Sequence, residues 1–281
     1  MTSNGGHERW SCAGFRGLVR AGWGPVFDGH DPVAWVEAAS VTLMRDRASV
    51  RVHRCESARG VLYGKVITGA SDAGPGEAAL WARVKWAARW SRSVAAMRTS
   101  RRMELAGVAC APVVLAARRR SGLGATDVLV MQGVPGLGLM STLRGQPPMD
   151  EQVALCRDAG RAIARMHDEG FMHGDLHPDS MLTTGPGSEM WFIDNDRTRE
   201  WHMPLPRVLR ERNLTPMGYR LAREFDGLMP VFLEEYLASA RLGAGARERV
   251  RRGVLARVER RLAWLAEHRR QRSASGEVGT G

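Results

Sequence analysis

Two aspartates stand near the ends of the stretch FMHGDLHPDSMLTTGPGSEMWFIDNDR, residues 171–197: Asp175 and Asp194. Met181 and Leu182 form a short apolar run after the first. Met190, Trp191, Phe192 and Ile193 form another before the second, and Gly185, Pro186, Gly187 and Ser188 lie between the runs. Short apolar runs around a Gly/Pro/Ser turn predict a β-hairpin. A hairpin brings its two ends together, so both carboxylates are expected close in space. Such a pair suits phosphoryl transfer. One carboxylate takes the proton of an attacking hydroxyl; the other holds the magnesium that neutralises phosphate charge.

The run HGDLHPDSML, residues 173–182, resembles the catalytic loop of the protein-kinase-like fold in the form seen in small-molecule and sugar kinases. FIDNDR, residues 192–197, resembles the metal-binding segment of the same fold. Its Ile-Asp-x-Asp-Arg form is similar to bacterial lipopolysaccharide kinases that phosphorylate Kdo or heptose of the inner core. The resemblance implies Asp175 as catalytic base and Asp194 as magnesium ligand, with Ser180 as a second, weaker ligand where kinases usually have Asn. It implies that His173 braces the loop. Asp196 and Arg197 complete the segment and are read as a structural ion pair.

Lys65 falls in an expected third strand, where kinases place the lysine that holds the nucleotide phosphates. Composition adds an argument. Of 41 basic residues only Lys65 and Lys85 are lysines. A compact ammonium suits a buried phosphate site better than the wide guanidinium fork. The fold's first large helix usually carries a glutamate that pairs with this lysine. Ala96 falls at that position, and Glu77 and Glu104 are the glutamates available nearby.

The supporting elements read as follows. VTLM (41–44), VRVHR (50–54) and VLYGKVI (61–67) predict three antiparallel strands. Arg45 to Ser49 would form the loop over the nucleotide phosphates, with arginine in place of the usual glycines; a plain solvated turn fits equally. Residues 77–106 read as helical. APVVLAARRR and DVLVMQG predict two further strands, the second running into a hinge. There the backbone near Met131 and Val134 would meet adenine, although Met131 is equally a core residue. Gly133, Pro135, Gly136 and Gly138 mark a lobe boundary. MDEQVALCRDAGRAIARMHDEG predicts an amphipathic helix capped by Asp150 and ended by Gly170. PVFLEEYLASARL (230–242) predicts a core helix, followed by an arginine-rich helix with Val250, Val254, Val258, Leu262 and Leu265 on one stripe.

The fold class expected is α+β: a two-lobed protein-kinase-like fold with a small β-rich N-lobe at 41–134 and a larger, mainly helical C-lobe at 135–272. Residues 1–40, with Trp10, Trp23 and Trp35, form an extension of unreadable role that has something to bury. Residues 273–281 read as a disordered tail.

Formal net charge is +11 and sequence pI about 10.7. That balance points to an acidic partner, here an acidic glycolipid or sugar acceptor and an anionic membrane surface; nucleic acid is not expected. Cys12, Cys55, Cys110 and Cys156 are scattered without a CxxC pair, which indicates neither zinc nor disulfides and suits the cytoplasm. No segment reads as a signal peptide or membrane span. The expected activity is an ATP- and Mg2+-dependent kinase acting on a lipopolysaccharide-core sugar or related glycolipid, cytoplasmic or peripheral on the inner face of the membrane. Two alternatives stay open: a kinase of another small molecule or of a protein, and a pseudokinase that binds nucleotide without transfer.

Overall fold

The computed structural model describes residues 6–47, 49–68, 91–121 and 124–274. The chain forms two compact units. One comprises Met1–Val134 with Asp194–Arg197, the other Pro135–Ile193 with Thr198–Gly281.

The first unit is built on a seven-stranded antiparallel sheet. Its strands are β1 (His7–Cys12), β2 (Phe15–Arg20), β3 (Ser40–Arg47), β4 (Val50–Ser57), β5 (Gly60–Thr68), β6 (Val113–Ser121) and β7 (Gly124–Gln132), in the order β1-β2-β6-β7-β5-β4-β3. The predicted strands are present, but β3 is longer than read. Arg45 and Arg47 pair with Val52 and Val50 within the ladder, so the expected phosphate loop at Arg45–Ser49 is not formed as read. β3 continues through these charges because it is the edge strand of the sheet and is exposed from Val41 to Arg47, so the charged side chains stay in solvent.

The tryptophan-bearing N-terminus is part of this unit. β1 and β2 form a hairpin whose second strand pairs with β6. Helices α1 (Gly24–Phe27) and α2 (Pro32–Ala38) follow, and Asp31 caps α2 by accepting the N–H of Val33 at 2.8 Å. Trp10, Phe15, Trp23, Phe27 and Val36 bury against Val114, Leu115, Val128 and Val130, which is the apolar area that keeps the hairpin and α2 on the sheet. Gly64 permits this closeness. A Cβ there would lie 2.7 Å from the methyl groups of Val36.

Helix α3 (Arg92–Leu105) packs on β6 through Ala96 and Met97, which cluster with Val113, Ala116, Leu129 and Met131. Ser91 caps it, accepting from Val94 N–H at 3.2 Å and donating to the buried Asp127 at 2.6 Å. Glu77 and Lys85 lie outside the described residues.

The second unit is mainly helical: α4 (Leu139–Arg144), α5 (Met149–Asp168), α6 (Arg207–Glu224), α7 (Leu228–Ser239) and α8 (Ala244–Ala274). Of the predicted face of α5, Cys156, Gly160, Ile163 and Met166 are buried, and Val153, in the second turn, is half-buried. Asp150 is not the cap: the cap is Pro148, two residues earlier, so Asp150 and Glu151 lie in the first turn of α5 and face the positive end of the helix dipole. Gly170 follows the C-terminus in the left-handed conformation, φ 83°. At Gly160 a Cβ would come within 2.8 Å of the Phe232 carbonyl, so glycine sets how closely α5 approaches α7. Helix α8 runs through Ser273 and Ala274, past the expected end at 272. Among the described residues no helix is long and apolar enough to cross a membrane, and all four cysteines are free.

Three short strands complete this unit around the hairpin: β8 (Leu137–Gly138), β10 (Met181–Thr183) and β11 (Trp191–Phe192), while β9 (Phe171–Met172) pairs with β12 (Arg199–Glu200). Met181 opposes Phe192 and Leu182 opposes Trp191, which is the predicted hairpin.

Candidate active site

The motif at residues 171–197 contributes to both units, Asp194–Arg197 to the β-rich one and the residues before them to the helical one. In the helical unit, His173 is fully buried and organises the loop. Its Nε2 donates to the Ile193 carbonyl at 2.8 Å, and its Nδ1 accepts the Asp175 N–H at 3.3 Å. These two bonds together require the Nε2–H tautomer. Ile193 is held at its other end too, its N–H donating to the Ser180 carbonyl at 3.0 Å. Asp175 itself is exposed.

Ser180 is buried within a 3-10 turn at Pro178–Ser180. Its hydroxyl donates to the His177 carbonyl at 2.7 Å and accepts the His177 N–H at 3.0 Å. The hydroxyl proton and one lone pair therefore brace the loop, which leaves one lone pair for any metal.

Behind the loop lies a buried polar network invisible to sequence reading. Asn213 donates to the His173 carbonyl at 2.6 Å and accepts from His167 at 2.9 Å. His167 also bonds the Tyr236 hydroxyl at 2.9 Å. Arg210, fully buried, pairs with Asp168 at 2.8 Å and donates to Tyr236 at 3.1 Å. Loss of solvent pushes His167 down to about 3, with the Arg210 charge adding to the effect. It is neutral and structural, as are its hydrogen-bonded neighbours; the three histidines 167, 173 and 177 form no metal cluster among the described residues.

In the β-rich unit, Lys65 on β5 is nearly buried, and its Nζ lies 3.2 Å from Asp194 Oδ1 and 3.2 Å from Asp196 Oδ1. Asp194 takes the left-handed backbone conformation, φ 61°, uncommon for a residue with a side chain and frequent where a site demands a particular direction. Its carboxylate is about half exposed, at 49%, and offers the hard, accessible oxygen that a magnesium ion takes. The donor set thus fits that ion.

Asp196 is the residue that sequence reading undervalued. Its carboxylate is buried, at 4% exposure. Its partner besides Lys65 is Arg92 Nη2, 2.5 Å away at the start of α3, rather than the neighbouring Arg197, which is exposed. Arg92 Nε also donates to the Asp196 carbonyl at 3.2 Å. Glu104 does not serve Lys65: it pairs with Arg20 at 2.8 Å and Arg101 at 3.0 Å. Ala96 is buried in the α3–β6 core. One signal for Asp196 lay in the motif itself, where a second acid follows Asp194 at two positions.

Met131 and Val134 diverge. The Met131 side chain belongs to the α3–β6 core. Val134 is half-buried just past β7, and the N–H groups of Gln132 and Gly133 are committed to the carbonyls of Pro112 and Val61, each at 2.8 Å.

An antiparallel β-rich unit holding Lys65 against Asp194 of the FIDNDR segment, and a helical unit carrying an HGD loop, define a protein-kinase-like protein. The model of the lipopolysaccharide kinase (Kdo/WaaP) family matches residues 82–228, more than half of the 281-residue chain, and the chain belongs to that family. A solved structure, WaaP in complex with acyl carrier protein, shares the fold with a TM-score of 0.59 at 23% identity, over 88% of this chain and 98% of that one. The KEOPS complex subunit Bud32 of Pyrococcus abyssi (strain GE5 / Orsay) is 25% identical over 146 residues, which is 50% of this chain and 64% of the relative, just under two thirds of its length.

Proposed function

We propose that the chain transfers the γ-phosphoryl group of ATP to a sugar hydroxyl of the lipopolysaccharide inner core or a related glycolipid. The observation that carries this reading is the Lys65–Asp194–Asp196 cluster, with Nζ 3.2 Å from a carboxylate oxygen of each aspartate. A lysine held beside an accessible aspartate is the arrangement phosphoryl transfer uses to hold nucleotide phosphates and their counter-ion.

In this reading Asp175 accepts the proton of the acceptor hydroxyl as its oxygen bonds to the γ-phosphorus. The bond from phosphorus to the β–γ bridging oxygen breaks, and ADP leaves with the electron pair. Lys65 neutralises the nucleotide phosphates. Asp194, with Ser180 as a weaker ligand, would hold magnesium, which supplies charge neutralisation to the phosphates. The backbone near Met131 and Val134 would receive the adenine, with the Met131 side chain left in the core. Asp196 takes the place of the missing helix glutamate as the buried partner of Lys65, and Arg92 links that partner to α3.

A second reading, nucleotide binding without transfer, is favoured by Ala96 at the usual glutamate position. One experiment separates the two. Purified protein is incubated with ATP, magnesium and isolated lipopolysaccharide, and the glycolipid is examined by mass spectrometry. Added phosphate in wild type, lost in Asp175→Ala, supports transfer. Magnesium-dependent ATP binding with no phosphate added to lipopolysaccharide, a protein substrate or small-molecule acceptors supports the second reading.

A further inference from the structure

Helices α6 and α8 of the helical unit flank an open, shallow cavity of about 390 Å³ whose lining includes no residue of the HGD loop. Arg212 of α6 and Arg257, Arg260 and Arg261 of α8 line it, with Trp264 at its edge. Thr215 and Pro216 complete the α6 wall, where Pro216 interrupts the helix hydrogen-bond ladder. No acidic side chain is among these lining residues.

The four guanidiniums differ in how far they are already engaged. Arg257 lies 3.5 Å from Glu211, a carboxylate that also pairs with Arg207 at 3.1 Å. Arg261 stacks 4.6 Å from the Trp264 ring, which is itself packed on His268 with centroids 3.8 Å apart. The stack fixes the direction of the Arg261 head group without neutralising it. Arg212 and Arg260 are exposed and have no carboxylate partner among the described residues. Elsewhere on α8 most arginines are paired, Arg251 and Arg252 with Glu248 and Arg270 with Glu267, although Arg249 has no carboxylate partner among the described residues. Like charges gathered around one concavity repel unless an anion sits among them, and guanidinium forks match phosphate oxygens in pairs.

We propose that this cavity is a binding site for phosphate-bearing groups, separate from the phosphoryl-transfer residues. The phosphate belongs either to a soluble phosphorylated ligand or to an anionic lipid headgroup; both present the same oxygens to Arg212 and Arg260. The site needs no catalysis, so its test is independent of the transfer reaction.

The test uses the full chain and three proteins: wild type, the pocket double variant Arg212→Gln/Arg260→Gln, and a charge-matched control on α8, Arg249→Gln/Arg252→Gln. Circular dichroism and melting establish that all three fold. Calorimetry measures inorganic pyrophosphate binding. Sedimentation measures association with phosphatidylglycerol/phosphatidylcholine vesicles against phosphatidylcholine alone. The pocket variant is expected to weaken one of these by about tenfold or more while the control stays near wild type, because two charged hydrogen-bond donors are lost. A selective loss of pyrophosphate binding assigns the site to soluble phosphates. A selective loss of anionic-vesicle binding assigns it to lipid headgroups. Equal weakening in pocket and control variants, or no binding of either probe by wild type, overturns the proposal.

Discussion

Asp196 Oδ2 lies 2.5 Å from Arg92 Nη2, so the first turn of α3 is tied to the carboxylate that also meets Lys65. The usual kinase pairing joins the strand lysine to a helix glutamate. Here the acid comes from the segment after Asp194, and the helix contributes the base.

Asp196→Ala should therefore behave unlike an ordinary surface change. It leaves Lys65 and Arg92 without their buried partner, and breaking one side of a buried pair costs about 3–5 kcal/mol. Chemical denaturation should show a large drop in stability, with reduced ATP binding. Arg92→Ala should give a smaller loss of both, since Arg92 is partly exposed. A folded Asp196→Ala protein with wild-type stability and ATP affinity would remove this residue from the site.

Asp175→Ala should spare the fold and ATP binding and nearly abolish transfer, because general-base assistance is typically worth on the order of a hundredfold or more. The side chain is exposed, and its backbone N–H, not its carboxylate, carries the bond to His173. Steady-state rates with saturating ATP decide it. A variant that retains more than about a tenth of the wild-type rate assigns the base elsewhere.

Ser180→Ala should lower stability by about 1 kcal/mol, since two loop hydrogen bonds go with the hydroxyl. It should also raise the magnesium concentration needed for half-maximal transfer, and Ser180→Asn should lower it. Magnesium titrations of all three proteins are the measurement. A shift in melting with no shift in magnesium dependence would make Ser180 a loop brace and exclude it as a ligand.

His167 predicts a pH dependence of stability. Its folded value is pushed down to about 3 from the ordinary 6.5 by burial, aided by Arg210. As pH falls below about 6.5, the unfolded chain takes up a proton that the folded chain refuses. Stability from this group is full above that pH and is lost progressively as pH drops towards 3. At about pH 4.5 the loss amounts to roughly 3 kcal/mol. Denaturation at pH 7 and at about pH 4.5 should show it, with a shallower dependence in His167→Gln. A His167 ring resonance that titrates near pH 6 in the folded protein contradicts the assignment.

Much of the architecture was legible because local chemistry decides it. Gly and Pro between short apolar runs made the hairpin at 181–192, and three- and four-residue spacing made the buried face of α5. The scarcity of lysine left Lys65 and Lys85, and the resemblance to kinase motifs picked out Lys65, Asp175 and Asp194. The elements are properties of neighbouring residues; the site residues came from that resemblance.

Contacts between residues far apart in the chain were decided only in three dimensions. Arg92 and Asp196 are separated by 104 positions, and Lys65 and Asp194 by 129. Nothing in the chain's local pattern tells one arginine from the other 38, or assigns Glu104 to Arg20 instead of Lys65. Arg45 and Arg47 read as a phosphate loop until strand pairing extended through them, because register depends on the partner strand. The N-terminal tryptophans showed that something must be buried, and the sheet surface they cover was fixed by the β2–β6 ladder. Local propensity chose the elements; desolvation and pairing across the fold chose which charges meet.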